Sequence, residues 1–391
     1  MISQTELERR LTAVREQLQA RGLDALVQFS AVYNVYLTGF AHSPTERPIV
    51  LIVPVEGEVS MFIPLLEEDH VREHVPVVQN LSVYREYPGQ PHPMDHLADH
   101  LRELGLGQAR LGIDSDGHGS IYGYHGPTLS TVLPDAELVK VRDILDRLRL
   151  IKSQEEIDLV RSCVPWGNRL MEIIRDHVRP GVSELEASLR AFTEASAELL
   201  AEMGEAYRGY DNGSIPVLGG FVAGPKTGLP HPIDDGRALQ EGDVLIAWGG
   251  PRFSGYHAEL ERTMILGSVS DRQRELFEIM VEMQQVAMDT IRPGIPCSAV
   301  DDAVIEFATR RNVLDLTRHH SGHGLGFQIH EAPFLDSGDT TILEPGMMFS
   351  CEPGLYELGL GGFRHSDSVL VTETGAEIIT NYPRDLQSNI I

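Results

Sequence analysis

A chain of 391 residues with 42% hydrophobic content is long enough for two domains and carries the apolar side chains to fill their cores. Its formal charge of −26, from 32 basic against 58 acidic residues, repels phosphate backbones and anionic membranes and excludes both as expected partners, while suiting a cationic ligand. Three cysteines without paired spacing encode neither a disulfide framework nor a zinc knuckle, and a charged start with no apolar run near ~20 residues points to a cytoplasmic protein.

Leu7, Leu11, Val14 and Leu18 recur at helical spacing, Thr5 and Glu8 form a capping-box pattern, and Gly22 stands where a C-terminal cap belongs. Residues 25–29, 49–55, 59–64 and 109–114 read as strands and 93–106 as a helix, so residues 1–150 form a small α/β domain. Arg47-Pro48, just before the second strand, is the feature to mark there, because an arginine at a strand entrance can reach toward an anion. Residues 141–162 combine dense charge with helical periodicity, and Ser153 is a good cap within them. The domain boundary is placed near Lys152, giving a second domain over 151–391.

That second domain contains an internal echo. Val178-Arg179-Pro180-Gly181-Val182 returns as Ile291-Arg292-Pro293-Gly294-Ile295, each after a long amphipathic segment, which predicts two related halves packing a sheet between helices. Residues 242–250 and 255–266 read as strands, and alternation places His257, Glu259 and Glu261 on one face. Ser270 and Ser298 cap helices that run to about Ile291 and Asn312, and the tail offers strands over 348–352 and 362–372. Between them lies the stretch 318–333, R-H-H-S-G-H-G-L-G-F-Q-I-H-E-A-P. Four histidines within twelve residues (His319, His320, His323, His330), interleaved with glycines that let the backbone turn closely, favour a functional site over core packing. Glu331 is placed to fix the His330 tautomer, and Pro333 to end the segment.

Four pieces of this half, P-H-P at 230–232, G-D-V-L-I-A-W-G-G with G-Y-H-A-E-L-E-R-T across 242–263, G-H-G-L-G-x-x-x-H-E-x-P, and E-P-G-M-M-F-S-C-E-P-G-L-Y before G-G-F-R-H-S-D, resemble the pita-bread metallopeptidases. That family includes methionine and proline-specific aminopeptidases, dipeptidases and the metal-free creatinase. The resemblance implies a mixed α/β (α+β) architecture: a creatinase-type N-terminal α/β domain, then a pita-bread domain with pseudo-two-fold duplicated halves.

Carried over residue by residue, the family's five ligands for two metals fall on Trp248, Glu259, His323, Glu352 and Ser366. An indole and a hydroxyl replace two anions, so no metal cofactor is expected; the alternative is one divalent ion such as manganese or cobalt on the surviving three. The proton-transfer histidines survive as His231 and His330. Similarity to creatinase implies that Glu261 and Glu352 grip a planar cation, that His231 is the general acid/base, and that Arg47 reaches a partner's site in a homodimer.

Three like charges at Glu259, Glu261 and Glu352 require either a protonated carboxyl or a cation, and Trp248 could wall the same cation. Internal neutralisation by Arg262 or Arg364 answers the same need. The expected function is a metal-independent C–N hydrolase of a small guanidino, amidino or ureido substrate. Its rivals are a proline-specific peptidase with a reduced metal site and a non-catalytic small-molecule-binding protein. Cys351 has no histidine at a telling spacing and is expected to be a buried structural thiol.

Overall fold

The opening helix, α1 (Gln4–Ala20), is capped by Ser3, whose Oγ accepts the Glu6 amide proton at 3.1 Å. The chain thus uses the earlier of two overlapping Ser/Thr-x-x-Glu patterns, and Thr5 lies inside the helix rather than at its cap. Gly22 supplies the left-handed backbone, φ +62°, that ends it. These are features of a computed structural model describing residues 2–209, 215–233 and 235–391, in which the chain divides into two compact units, 2–149 and 150–391.

In the first unit β1 (Ala25–Gln28) and α2 (Ala31–Thr38) are followed by β2 (Val50–Pro54), β3 (Ser60–Pro64), α3 (Glu68–His74) and β4 (Asn80–Tyr84). Then come α4 (Pro93–Glu103), β5 (Arg110–Ile113), α5 (Leu129–Val132), β6 (Glu137–Lys140) and α6 (Arg142–Leu150). The mixed six-stranded sheet runs β4-β3-β2-β1-β5-β6, and Val27, Ile52, Phe62, Leu97 and Leu111 fill one core against it.

The second unit opens with α7 (Gln154–His177), held by a complete Ser153–Glu156 capping box, and α8 (Glu184–Met203). Its strands β7 (Val217–Ala223), β8 (Val244–Pro251) and β9 (Leu260–Ile265) precede a second helix pair, α9 (Asp271–Thr290) and α10 (Ser298–Arg310). Ser270 caps α9 as expected, whereas Ser298 is the first residue of α10 rather than its cap. The remaining strands are β10 (Gly322–Gly324), β11 (Glu331–Leu335), β12 (Met348–Cys351), β13 (Gly354–Glu357), β14 (Gly361–Arg364), β15 (Ser366–Val371) and β16 (Ala376–Ile378). An antiparallel sheet in the order β11-β10-β12-β15-β9-β8-β7 results, with β16 on β15.

The repeated pentapeptide marks a real duplication of backbone geometry. Gly181 donates to Leu239 O and Leu239 to Val182 O, at 2.8 and 2.9 Å; Gly294 donates to Leu343 O and Leu343 to Ile295 O, at 2.9 and 2.8 Å. Both glycines need positive φ, +89° and +87°. Each pentapeptide lies between the two helices of its half, so each half contributes a helix pair; the first half adds three strands to the sheet and the second adds five.

Three strand expectations change. The strand expected from 255 begins only at Leu260, because residues 253–256 close a bridge with positive φ at Ser254 and Gly255. The strand expected over 362–372 breaks at His365, whose Nδ1 accepts from the Thr263 amide at 3.1 Å and whose Nε2 lies 3.0 Å from Arg384 O. Pro333 sits inside β11 instead of ending the segment.

A candidate active centre on one face of the sheet

Side chains of directly paired residues share a face, so strand register says what the sheet presents. His323 pairs with Ser350, Ser350 with Ser368, Ser366 with Glu261, and Glu261 with Trp248. With Glu259 two residues before Glu261 and Glu352 two after Ser350, one row of functional groups crosses five strands, β10, β12, β15, β9 and β8. Loop and strand residues far apart in sequence meet there because β7, β8 and β9 of the first half continue the sheet formed by β10, β11, β12 and β15 of the second.

His323 is fully buried at its centre, with Nε2 3.2 Å from Glu352 Oε1 and 3.6 Å from Glu259 Oε2. Neither approach is aligned as a hydrogen bond, so His323 Nε2 and Glu259 Oε2 are buried atoms without a hydrogen-bond partner. Burial lowers His323, but its close contact with Glu352 and the charges of Glu259 and Glu352 outweigh this and lift it to about 9. Burial and the neighbouring Glu352 charge push Glu259 up to about 8. Glu352 is raised by burial yet held at about 2 by His323 and Arg364.

Arg364 settles one expectation differently. Its guanidinium clasps Glu261 through Nε and Nη2, at 2.5 and 2.9 Å, and lies 3.7 Å from Glu352. Glu261 is therefore held by the protein's own arginine and is not an open grip for a substrate cation. Burial raises Glu261 and the Arg364 charge opposes it. Arg364 faces Glu261 and Glu352, and imidazolium His323 faces Glu352 and a Glu259 held toward its neutral form, so these acids do not require a cation from outside. Arg262 is absent from this balance: one residue along β9, it points to the other face and pairs with Asp367 at 2.7 Å.

Around this centre, His330 stacks on His323 with ring centroids 3.8 Å apart and planes 17° apart, and is itself exposed. Burial and the His323 charge lower its pKa. Glu331 does not fix its tautomer as expected; that carboxylate reaches Lys152 Nζ at 2.7 Å. His231 is exposed and does not touch the carboxylates, but is near enough for its charge to bear on His330. Its loop is tied down by Lys226, which donates to Ile233 O at 3.3 Å and Asp235 Oδ1 at 3.0 Å.

Trp248 is 40% exposed on the same face as Glu261. Ser366 Oγ, 2.5 Å from Ser350 Oγ and 3.4 Å from Glu259 Oε1, brings a hydroxyl where the expected ligand set has an anion. Arg47 is placed in the first unit, its guanidinium bound by Glu86 at 2.7 and 3.1 Å and by Glu46 at 2.6 Å, so it does not extend freely. Specificity is expected to lie in the loops over 207–226 and 254–257, and residues 210–214 of the first lie outside the described residues.

His319, one of the four clustered histidines, and Tyr356, which no sequence motif marks, extend the centre: His319 Nε2 lies 2.8 Å from Tyr356 Oη, and Arg364 Nη1 donates to that oxygen at 3.2 Å. His257 is buried, its ring nitrogens lack hydrogen-bond partners, and burial with nearby Arg252 lowers it to about 3. Cys351 alternates onto the opposite face and is fully buried.

Among the described residues, Glu259, His323 and Glu352 bring ligand atoms within 4.8 Å of one another. These donors and the unpartnered atoms on His323 and Glu259 fit one divalent ion; Trp248 and Ser366 do not fit a second.

Residues 158–373 match the metallopeptidase family M24, and residues 10–151 match the creatinase/prolidase N-terminal domain. The chain is 30% identical to a creatinase from a Bacillus species, across 100% of this chain and 94% of that protein. It is 31% identical to an Xaa-Pro dipeptidase from Pyrococcus furiosus, across 64% of this chain and 68% of the relative. Among solved structures, dipeptidase PepE from Mycobacterium ulcerans superposes with a TM-score of 0.80 at 27% identity, covering 97% of each chain. No helix among the described residues is long and apolar enough to cross a membrane.

Proposed function

Because this chain belongs to metallopeptidase family M24, with a creatinase/prolidase N-terminal domain and the pita-bread fold, we propose that it is a hydrolase that breaks a C–N bond in a small substrate without a catalytic metal. The observation that carries this reading is the filled face of the sheet. Trp248 and Ser366 stand where a two-ion centre would need anions, and the remaining acids are balanced by His323 and Arg364.

His231 takes a proton from water as the water oxygen bonds to the electrophilic carbon, and returns it to nitrogen as the C–N bond breaks. Imidazolium His323, held between Glu259 and Glu352, offers fixed positive charge to the oxyanion that develops. Exposed His330, stacked on it, relays protons toward solvent. Trp248 gives the substrate an apolar wall, while the internal Arg364–Glu261 pair removes the charge reason for a guanidino group in particular. A homodimer in which Arg47 serves a second subunit requires that arginine to leave Glu46 and Glu86.

A second reading is supported by the unpartnered His323 and Glu259 atoms: an Xaa-Pro peptidase with one divalent ion held by Glu259, His323 and Glu352. That ion would supply Lewis-acid polarisation of a carbonyl. The deciding experiment is elemental analysis of the purified protein beside a turnover screen of guanidino, ureido, cyclic amidine and Xaa-Pro compounds, each with chelator and with added manganese or cobalt. Turnover that survives chelation supports the first reading. Cleavage that requires the added ion replaces it with the second.

A further inference from the structure

The turn between β10 and β11 carries His330, and a buried ion pair fills it from behind. Lys152 and Glu331, with side chains 2% and 6% exposed, meet at 2.7 Å although 179 residues separate them. Gly326 admits the pair: a Cβ there would come within 2.7 Å of Lys152 Cε and 3.1 Å of Glu331 Oε1. The same turn is braced by Arg252, which donates to Phe327 O at 3.0 Å, while Lys152 is fixed by its own amide's bond to Gly346 O at 2.9 Å.

A buried ion pair is a weak source of stability, since desolvation offsets most of the attraction, and an apolar pair of similar volume often serves folding equally well. What such a pair supplies is direction. Glu331 begins β11 one residue after His330, so anchoring its carboxylate sets where the preceding residue leaves the turn. The geometry points to Lys152–Glu331 as the positioning device that holds the His330 ring stacked over His323. This rests on the proposed relay role of His330, and it makes Lys152 a positioning residue for the reaction rather than a catalytic one.

The test uses the full-length chain labelled at histidine Cε1 and three variants. Lys152→Met is expected to melt well below the parent, because it removes a close positive charge from a buried carboxylate. Lys152→Met with Glu331→Leu is expected to recover most of that loss, yet the Cε1 proton signals of His323 and His330 should move, as mutual ring-current shifts from stacking disappear. Glu331→Gln keeps the volume and should move the same signals in the same direction. Parent-like His323 and His330 signals in the folded double variant, or in folded Glu331→Gln, overturn the proposal and leave the pair a packing feature. His330→Ala separates the two levels: unchanged turnover there removes the relay role, whereas the ring signals of the other variants still report positioning.

Discussion

The two faces of the eight-stranded sheet both bury charge, but they treat it differently. Behind β9, Arg262 donates from all three nitrogens, to Asp367, Tyr382 O, Pro383 O, Ser366 O and Glu261 O, and Asp367 also accepts from Thr380 and Gln284. In front, His323 Nε2 and Glu259 Oε2 have no hydrogen-bond partner and Glu259 is pushed toward neutrality. The back face is built to stay folded. Charges in front are left incompletely satisfied, as a surface that must still accept a ligand requires.

The same chemical change on each face should therefore give opposite results. Asp367→Asn strips a buried arginine of its counter-charge and should cost about 3–5 kcal/mol in urea unfolding. Glu259→Gln replaces a carboxyl that the folded chain holds neutral near pH 7 and should not destabilise the fold, while lowering turnover. Equal losses in the two variants would erase the distinction. His231→Ala, on an exposed loop, should leave the melting temperature unchanged and reduce turnover by about 10²–10⁴-fold; substantial residual rate removes its assigned role.

Trp248→Asp with Ser366→Glu restores anions to the front face and should raise divalent-ion content by elemental analysis above that of the parent. An unchanged content would mean that those two positions do not control occupancy.

The remaining prediction concerns pH dependence. His323 is raised from 6.5 to about 9, so its stabilisation is complete below 6.5 and disappears as pH rises through 9. Glu259 is raised from 4.5 to about 8, so the folded form binds the extra proton and stability falls from pH 4.5 to 8. Both act in one direction. Thermal melts of chelated protein should decline on the alkaline side, and His323→Gln should flatten that decline above pH 6.5.

Much of the architecture was legible in the residues. Cap-forming Ser153 and Ser270, the positive-φ glycines of the repeated pentapeptide and the alternation of β9 are local matters, decided within a few residues by backbone sterics and hydrogen-bond chemistry. The identities of Trp248 and Ser366 were equally plain, because a residue type states at once whether it can coordinate. Only the tertiary structure chose the charge partners: Arg364 for Glu261 across 103 residues, Lys152 instead of His330 for Glu331, and Glu86 for Arg47. A carboxylate's partner and its protonation depend on burial and on distances of a few ångströms between strands remote in the chain, and a linear order of side chains contains neither.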